Sequence, residues 1–267
     1  MKMTLLITGA SSGIGKAAAA LFAERGYQVF DLSRRGTIPC DVSDEASVQR
    51  AVAEVMRRTD HIDVLILNAG FGISGPAECT PVEDVRRQMD VNFTGAVAVV
   101  QQVLPYMRRR RKGRIIFTSS IAAILPIPYQ SFYSASKAAI NAFALALQNE
   151  VRDYGICVSV LMPGDVQTGF TAARKKVQLS TLNSPLSTFD TQPSTPYPHA
   201  EQAVAAMERD EQRGLTPQAM ARCLYRIATV RHPRPQYIGG AEYHLFAFLR
   251  WLLPQRIVNY IVGRIYA

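Results

Sequence analysis

The chain has 267 residues, 48% hydrophobic and 19% charged, enough for one sizeable core and too apolar for a disordered chain. Its net charge of +9 invites a nucleic-acid reading, but the densest basic run, Arg108–Lys112, stands before Gly113 with no aromatic residue interleaved. That run fits the last turn of a helix, where cations complement the dipole, and gives bases nothing to stack on, so no nucleic-acid partner is expected.

In chain order, "MKMTLLITGA" has too short an apolar run for a signal peptide, and no later stretch reaches the ~18 apolar residues of a membrane span. The cysteines, Cys40, Cys79, Cys157 and Cys223, are scattered and predict neither a metal site nor a disulfide framework. A cytoplasmic protein is expected. "MTLLITG" reads as a strand and "KAAAALFAERG" as a helix closed by Gly26. "YQVFDLS" is a second strand, followed by a helix capped by Ser43 with Asp44 and Glu45 in its first turn. "IDVLILNAG" is a buried strand, and Thr80-Pro81-Val82-Glu83 a capping box that opens another helix. "GRIIFTSS" and "ICVSVLMPG" are further strands on either side of a helix that carries "SFYSASK". Residues 180–198 are rich in Ser, Thr and Pro and predict a mobile connection, the centre of a substrate lid over 167–215. A helix opened by Thr216-Pro217 and a strand at "PQYIGG" follow. Residues 241–267 form an amphipathic tail of two helical patterns broken by Pro254. Strands alternating with helices predict one α/β domain over 1–267, a doubly wound parallel sheet of about seven strands with helices on both faces.

Two stretches carry chemistry. "TGASSGIG" follows the first strand and opens the first helix, so Gly9, Gly13 and Gly15 allow close approach of a pyrophosphate to the helix N-terminus. Tyr133 and Lys137 stand four residues apart, on one face of a helix. An ammonium about 4 Å from a phenolate, at an effective dielectric of ~20, is worth ~4 kcal/mol and predicts a tyrosine acidified by up to about three pKa units.

"TGASSGIG", "NAG" at 68–70, "VN" at 91–92, "SS" at 119–120, "YSASK" at 133–137 and "PGDVQTG" at 163–169 occur in the order seen in short-chain dehydrogenases/reductases. The chain resembles that superfamily, closely over roughly 3–170. The resemblance implies a Rossmann-like fold and an NAD(P)-dependent oxidoreductase. Tyr133 would exchange a proton with the substrate oxygen, Lys137 would lower its pKa and hold the nicotinamide ribose, Ser120 would polarise the carbonyl, and Asn92 would hold a water leading to Lys137. For the cofactor it implies Ser11, Ser12, Gly13, Ile14 and the glycines at the pyrophosphate, and Asp41 and Val42 at the adenine. Asn68, Ala69 and Gly70 would lie behind the adenosine ribose, with Pro163, Gly164, Val166 and Thr168 at the nicotinamide. At the end of the second strand Ser33 takes the place of an NAD-selecting acid and Arg34 follows it, so NADP(H) is favoured over NAD(H), with Asp31 as the competing residue.

The tail resembles that of hydroxysteroid and retinol dehydrogenase-like members, which implies a steroid-, retinoid- or lipid-like carbonyl or alcohol substrate. It would pack on the core, contact a second subunit of a dimer or tetramer, or lie on a membrane surface. The rival readings are a 3-ketoacyl-thioester reductase, with the Arg108–Lys112 run docking an acidic carrier, and a non-catalytic NADP-binding scaffold held by its tail.

Overall fold

The computed structural model describes residues 2–170, 174–177 and 197–266. Seven parallel strands form one sheet in the order β3-β2-β1-β4-β6-β7-β9. These are β1 (Thr4–Thr8), β2 (Gln28–Ser33), β3 (Ile38–Pro39), β4 (Val64–Leu67), β6 (Gly113–Thr118), β7 (Ile156–Pro163) and β9 (Gln236–Gly239). Strands β1 and β4 read as unbroken aliphatic runs because both of their faces are covered, and every residue of each is buried. Leu5 and Ile7 point to one face and Leu6 to the other, and all three are fully shielded from water. Each such side chain contributes about 1.5–3 kcal/mol of burial.

On the Leu5/Ile7 face lie α1 (Gly13–Glu24) and α7 (Pro217–Thr229), which meet through Phe22, Tyr27 and Leu224. On the other lie α2 (Glu45–Arg58), α4 (Gly95–Arg110) and α5 (Ser131–Val151), packed through Val52, Val99 and Ala144. A short helix α3 (Val82–Met89) runs through a π-type turn, Asp90–Thr94, into α4. Outside the sheet, β5 (Ile73–Ser74) pairs in parallel with β8 (Lys175–Lys176), and the later helices are α6 (Ala200–Arg213), α8 (Ala241–Leu252) and α9 (Gln255–Tyr266).

Two helix starts differ from expectation. The cap of α2 is Asp44, whose carboxylate accepts from Ala46 N–H at 3.0 Å, because the Ser43 hydroxyl is already donating to Asp41 at 2.6 Å. Thr80 does not cap α3: its hydroxyl turns back to the Pro76 carbonyl at 2.9 Å and the helix begins after Pro81. The Arg108–Lys112 run does close a helix, with Arg111 in the left-handed conformation at φ 50°. Pro254 separates the tail's two helices as expected. Much of the expected 167–215 lid, including nearly all of 180–198, lies outside the described residues.

The tail lies against the protein by one face. The Tyr243 ring of α8 fills the space beside Gly164, and α9 packs on α6. The other face stays bare, with Trp251 78% and Tyr260 69% exposed and Leu245, Phe248 and Ile265 also open to solvent. No described helix is long and apolar enough to cross a membrane.

Candidate functional site

The sheet order reverses between β1 and β4, and a cleft of about 830 Å³ opens at the carboxyl ends of the strands there. The glycine-rich turn after β1 forms one wall. Gly9 adopts φ 69°, and a side chain on it would strike the Ala69 backbone at 2.8 Å. Gly15 does not line the cleft: it packs beneath the turn, where a Cβ would collide with the Gly9 carbonyl and the Asn68 amide. So these two glycines let the first turn close on the Asn68-Ala69-Gly70 turn, and Gly9, Ser11, Ser12, Gly13 and Ile14 are what face the cleft. The Ser12 side chain does not cap α1 and the first helical turn holds no acid. Its N–H groups and positive end are thereby left to an anionic group, which is an observation that fits a dinucleotide pyrophosphate.

The turn after β2 is tied from within. Asp31 accepts from Ala10 N–H at 3.1 Å and from the Ser33 hydroxyl at 3.0 Å, so its carboxylate braces two turns and does not line the cleft. Ser33, Arg34, Arg35, Asp41 and Val42 do line it. Thr8 joins β1 to β4 by accepting from both Asn68 N–H and Ala69 N–H at 3.0 and 3.1 Å.

The catalytic candidates meet at the ends of β6 and β7. Tyr133 and Lys137 share one face of α5, with Lys137 Nζ 5.7 Å from the centre of the Tyr133 ring. Lys137 is 5% exposed and donates to the Thr118 carbonyl at 3.0 Å, and Ser119 secures the helix by donating to the Lys137 carbonyl. Ser120 accepts from Ala122 N–H at 3.2 Å, and its hydroxyl faces the phenol. Asn92 is 1% exposed and lies behind Gly70 rather than in the cleft. Its amide accepts from Phe71 N–H and donates to the Phe71 carbonyl and the Ser136 hydroxyl. The π-type turn that carries it supplies the offset needed to reach back to β4.

The acidified phenol is not what this environment produces. Burial pushes Tyr133 up to about 12, against the opposing pulls of the Ser120 hydrogen bond and the Arg174 charge. Burial also brings Lys137 down to about 8. Desolvation favours the neutral form of both groups, and it outweighs the ammonium–phenolate attraction expected from the spacing.

Where the resemblance expects the nicotinamide, Pro163, Gly164, Val166 and Thr168 line the wall that continues β7. Past Tyr133 the cleft widens between Ile127, Gln130, Phe170, Met207 and Tyr266, the last brought in by the end of α9. Asp165, Arg174 and Glu211 are the charged groups in that wall, and the sequence motifs identified none of them. Asp165 lay unread within "PGDVQTG", while Arg174 and Glu211 belong to no periodic pattern.

A family model described as short chain dehydrogenase matches residues 3–178. A 3-ketodihydrosphingosine reductase from Bacteroides thetaiotaomicron is 35% identical over 98% of this chain and 97% of its own length. A probable short-chain type dehydrogenase/reductase from Helicobacter pylori is 36% identical, over 62% of this chain and 65% of that one. Among solved structures, a short-chain dehydrogenase from Streptomyces avermitilis superposes with a TM-score of 0.77 at 25% identity, covering 94% of this chain and 95% of that one. One from Burkholderia cenocepacia, in complex with NADP, covers all of both chains with a TM-score of 0.73 at 20% identity.

Proposed function

The chain belongs to the short-chain dehydrogenase family, and from that premise we propose that this oxidoreductase reduces the ketone of a long-chain lipid at the expense of NADPH. The observation that carries the reading is the match to the 3-ketodihydrosphingosine reductase, which runs the length of both chains and so includes α6 and α9, which bring Met207 and Tyr266 to the cleft beyond Tyr133. The apolar side chains Ile127, Phe170 and Met207 in that part of the cleft suit an alkyl chain better than a sugar or a peptide.

The residues present suit a dinucleotide. The uncapped start of α1 and the backbone of Ser11 to Ile14 would hold the pyrophosphate, and Asn68-Ala69-Gly70 the adenosine ribose. Tyr133 and Lys137 would hold the other ribose, and Val166 and Thr168 the carboxamide. With Asp31 committed to Ala10 and Ser33, the carboxylate that would select NAD is engaged elsewhere, while the exposed Arg34 offers a fork for a 2′-phosphate. When bound, the cofactor supplies the hydride for the carbonyl carbon. This chain supplies the proton.

A phenol at about 12 is fully protonated at neutral pH, so Tyr133 enters the reaction as an acid, the state that reduction requires. It gives its proton to the carbonyl oxygen while the Ser120 hydroxyl polarises the same oxygen. The phenolate left behind lies beside Lys137, whose ammonium is still largely protonated at pH 7, and is reprotonated through it. Asn92 acts in this relay by position. Its side chain is spent on Phe71 and Ser136, so a water held there would rest on its main chain.

The test is NADPH consumption at 340 nm with long-chain 3-ketones, against acyl thioesters and steroid ketones, repeated with NADH and with Arg34→Ala. The expected result is turnover of the long-chain ketones with NADPH, a preference of at least about tenfold over NADH, and loss of that preference in Arg34→Ala, since one charge-assisted fork is worth roughly 1.5–3 kcal/mol. Turnover of thioesters alone would replace the substrate assignment, and an unmodified protein that prefers NADH would overturn the cofactor assignment.

A further inference from the structure

The tail carries an apolar surface that the fold does not use. In α8, Tyr243 is buried against Gly164, while Leu245, Phe248, Leu249 and Leu252 recur at i, i+3, i+4 and i+7 and are 36–59% exposed. At about 100° per residue that stripe stands on the side of the helix opposite Tyr243. In α9, Val258, Val262 and Tyr266 form the buried or half-buried row. Ile257, Ile261 and Ile265 are exposed in the row beside it, and Arg256, Tyr260 and Arg264 in the row beyond that. A helix at the surface of a soluble protein normally turns polar side chains to water, and a contiguous apolar patch in their place marks a surface that meets something else.

Charge decides what covers it. From Tyr243 onward the sequence holds Arg250, Arg256 and Arg264 and no Asp or Glu. A second copy laid against this face would bring three guanidinium groups towards three others, and like charges across an interface oppose association. An anionic bilayer supplies the opposite sign at its head groups and takes Leu, Phe and Ile side chains into its acyl boundary. The aromatic residues agree. Trp251 and Tyr260, the most exposed large side chains of the patch, are the types that settle where hydrocarbon meets head group. Pro254 divides the tail into two helices of 12 residues, each too short to span a bilayer, so the geometry is that of a tail lying along the surface.

We propose that α8 and α9 dock on the surface of a bilayer that contains anionic phospholipid. The Leu245, Phe248, Leu249 and Leu252 stripe and the three isoleucines enter the acyl boundary, and Arg250, Arg256 and Arg264 meet the phosphates. The docked tail is joined to the cleft. Tyr243 holds α8 to Gly164 and Asp165, and Tyr266 at the end of α9 lines the cleft itself. Because the α8 stripe is opposite Tyr243, one helix thickness, about 10–12 Å, separates the lipid from that wall. The anchor keeps the cleft at the layer in which an apolar substrate is dissolved. The surface stands on exposure and charge, whichever ketone the protein reduces.

Trp251 is the only tryptophan of the chain and lies on this face, so its fluorescence reads the docking directly. The full-length protein is titrated with phosphatidylcholine vesicles and with mixed phosphatidylglycerol–phosphatidylcholine vesicles. The anionic vesicles should shift the emission to the blue, and the same lipids brominated in their acyl chains should quench it. Binding should be at least about tenfold tighter than to phosphatidylcholine alone and should weaken with added salt. Arg250→Gln/Arg256→Gln/Arg264→Gln should lose at least about tenfold of that affinity, and Leu245→Ser/Ile261→Ser should abolish the quenching, both at an unchanged melting temperature. If a variant fails to fold, the two vesicle types and the salt dependence decide with the unmodified protein. Emission that stays unshifted and unquenched on anionic vesicles, or equal binding to both vesicles, overturns the docking surface. A blue shift without lipid that grows with protein concentration, with a doubled mass in light scattering, assigns the face to a second copy and overturns it too. None of these readouts uses turnover, so the reductase reading and the docking surface fail separately.

Discussion

At the floor of the cleft, most polar side chains that shape the site answer to the main chain: Thr8 to Asn68 and Ala69, Asn92 to Phe71, Lys137 to the Thr118 carbonyl and Ser119 to the Lys137 carbonyl. The outer wall is held differently, by charged and phenolic side chains reaching across long sequence separations: Lys175 to Asp84, Lys176 to Glu208, Arg174 to Glu211 and Tyr243 to Asp165. Main-chain partners are available whatever the rest of the sequence becomes, so the floor can stay the same while substrates differ. Side-chain pairs must change together, so the wall is where specificity can be written. If this division is correct, floor substitutions should destroy turnover for every substrate, and wall substitutions should redistribute it.

The largest expected effect is therefore at the floor. Tyr133→Phe removes the proton donor and leaves the Ser136–Tyr133 carbonyl contact and the helix intact. Turnover should fall by about 10²–10⁴-fold for all ketones alike, with the dissociation constant for NADPH moving by no more than about threefold. Single-turnover kinetics and a fluorescence titration measure the two quantities. A variant that keeps more than a tenth of the activity would remove the phenol from the reaction and end the distinction between floor and wall.

Lys137→Met sharpens the comparison by separating function from stability. The folded pKa of about 8 lies below the ordinary lysine value of 10.5, so between these values the unfolded chain keeps a proton that the folded protein has released. Stability thus rises with pH through that window, and the desolvation cost is fully present below pH 8. At 1.36 kcal/mol per unit this cost is about 3 kcal/mol, partly offset by the bond to Thr118 that methionine also gives up. The variant should be inactive and yet melt a few degrees higher than the unmodified protein at pH 6–7, with the gap closing towards pH 10. A melting temperature that falls at every pH would show that Lys137 serves the fold before it serves the reaction.

The same contrast explains what the sequence revealed. Floor residues arise in short motifs at strand ends, because a tight turn, a helix start and a one-turn spacing are local requirements, and Ser120, Tyr133 and Lys137 meet in one cleft as their spacing implies. What local reading missed was environment. The Tyr133–Lys137 spacing suggested an acidified phenol, but burial, which depends on α6 and the chain around Phe170, wins. Gly15 was expected at a pyrophosphate and instead permits one turn to rest on another. Ser43 and Asp44 both suit a helix cap, and the choice fell to Asp44 because Asp41 claims the serine hydroxyl. Arg174 and Glu211 are 37 positions apart with no periodicity between them, so nothing in the linear pattern joins them.

The smallest expected effect tests whether the tail belongs to the wall. Tyr243 of α8 rests its ring on Gly164, at the end of β7, donates its hydroxyl to the Asp165 carboxylate at 2.5 Å and accepts from Asp165 N–H at 3.0 Å. Burial raises the Asp165 pKa and the Tyr243 hydrogen bond opposes it, so the phenol helps to keep this carboxylate ionised. Tyr243→Phe keeps the ring against Gly164 and removes both bonds. The loss should be about 1–2 kcal/mol of stability, read as a drop of roughly 2–8 °C in Tm, because an N–H and a carboxylate are left unpaired in a half-buried place. Turnover of the substrate that the wall selects should decline through KM while kcat holds, since Asp165 lies beyond the proton path. A tail that merely covers the surface would give the change in Tm with KM untouched, whereas a tail that completes the wall moves both.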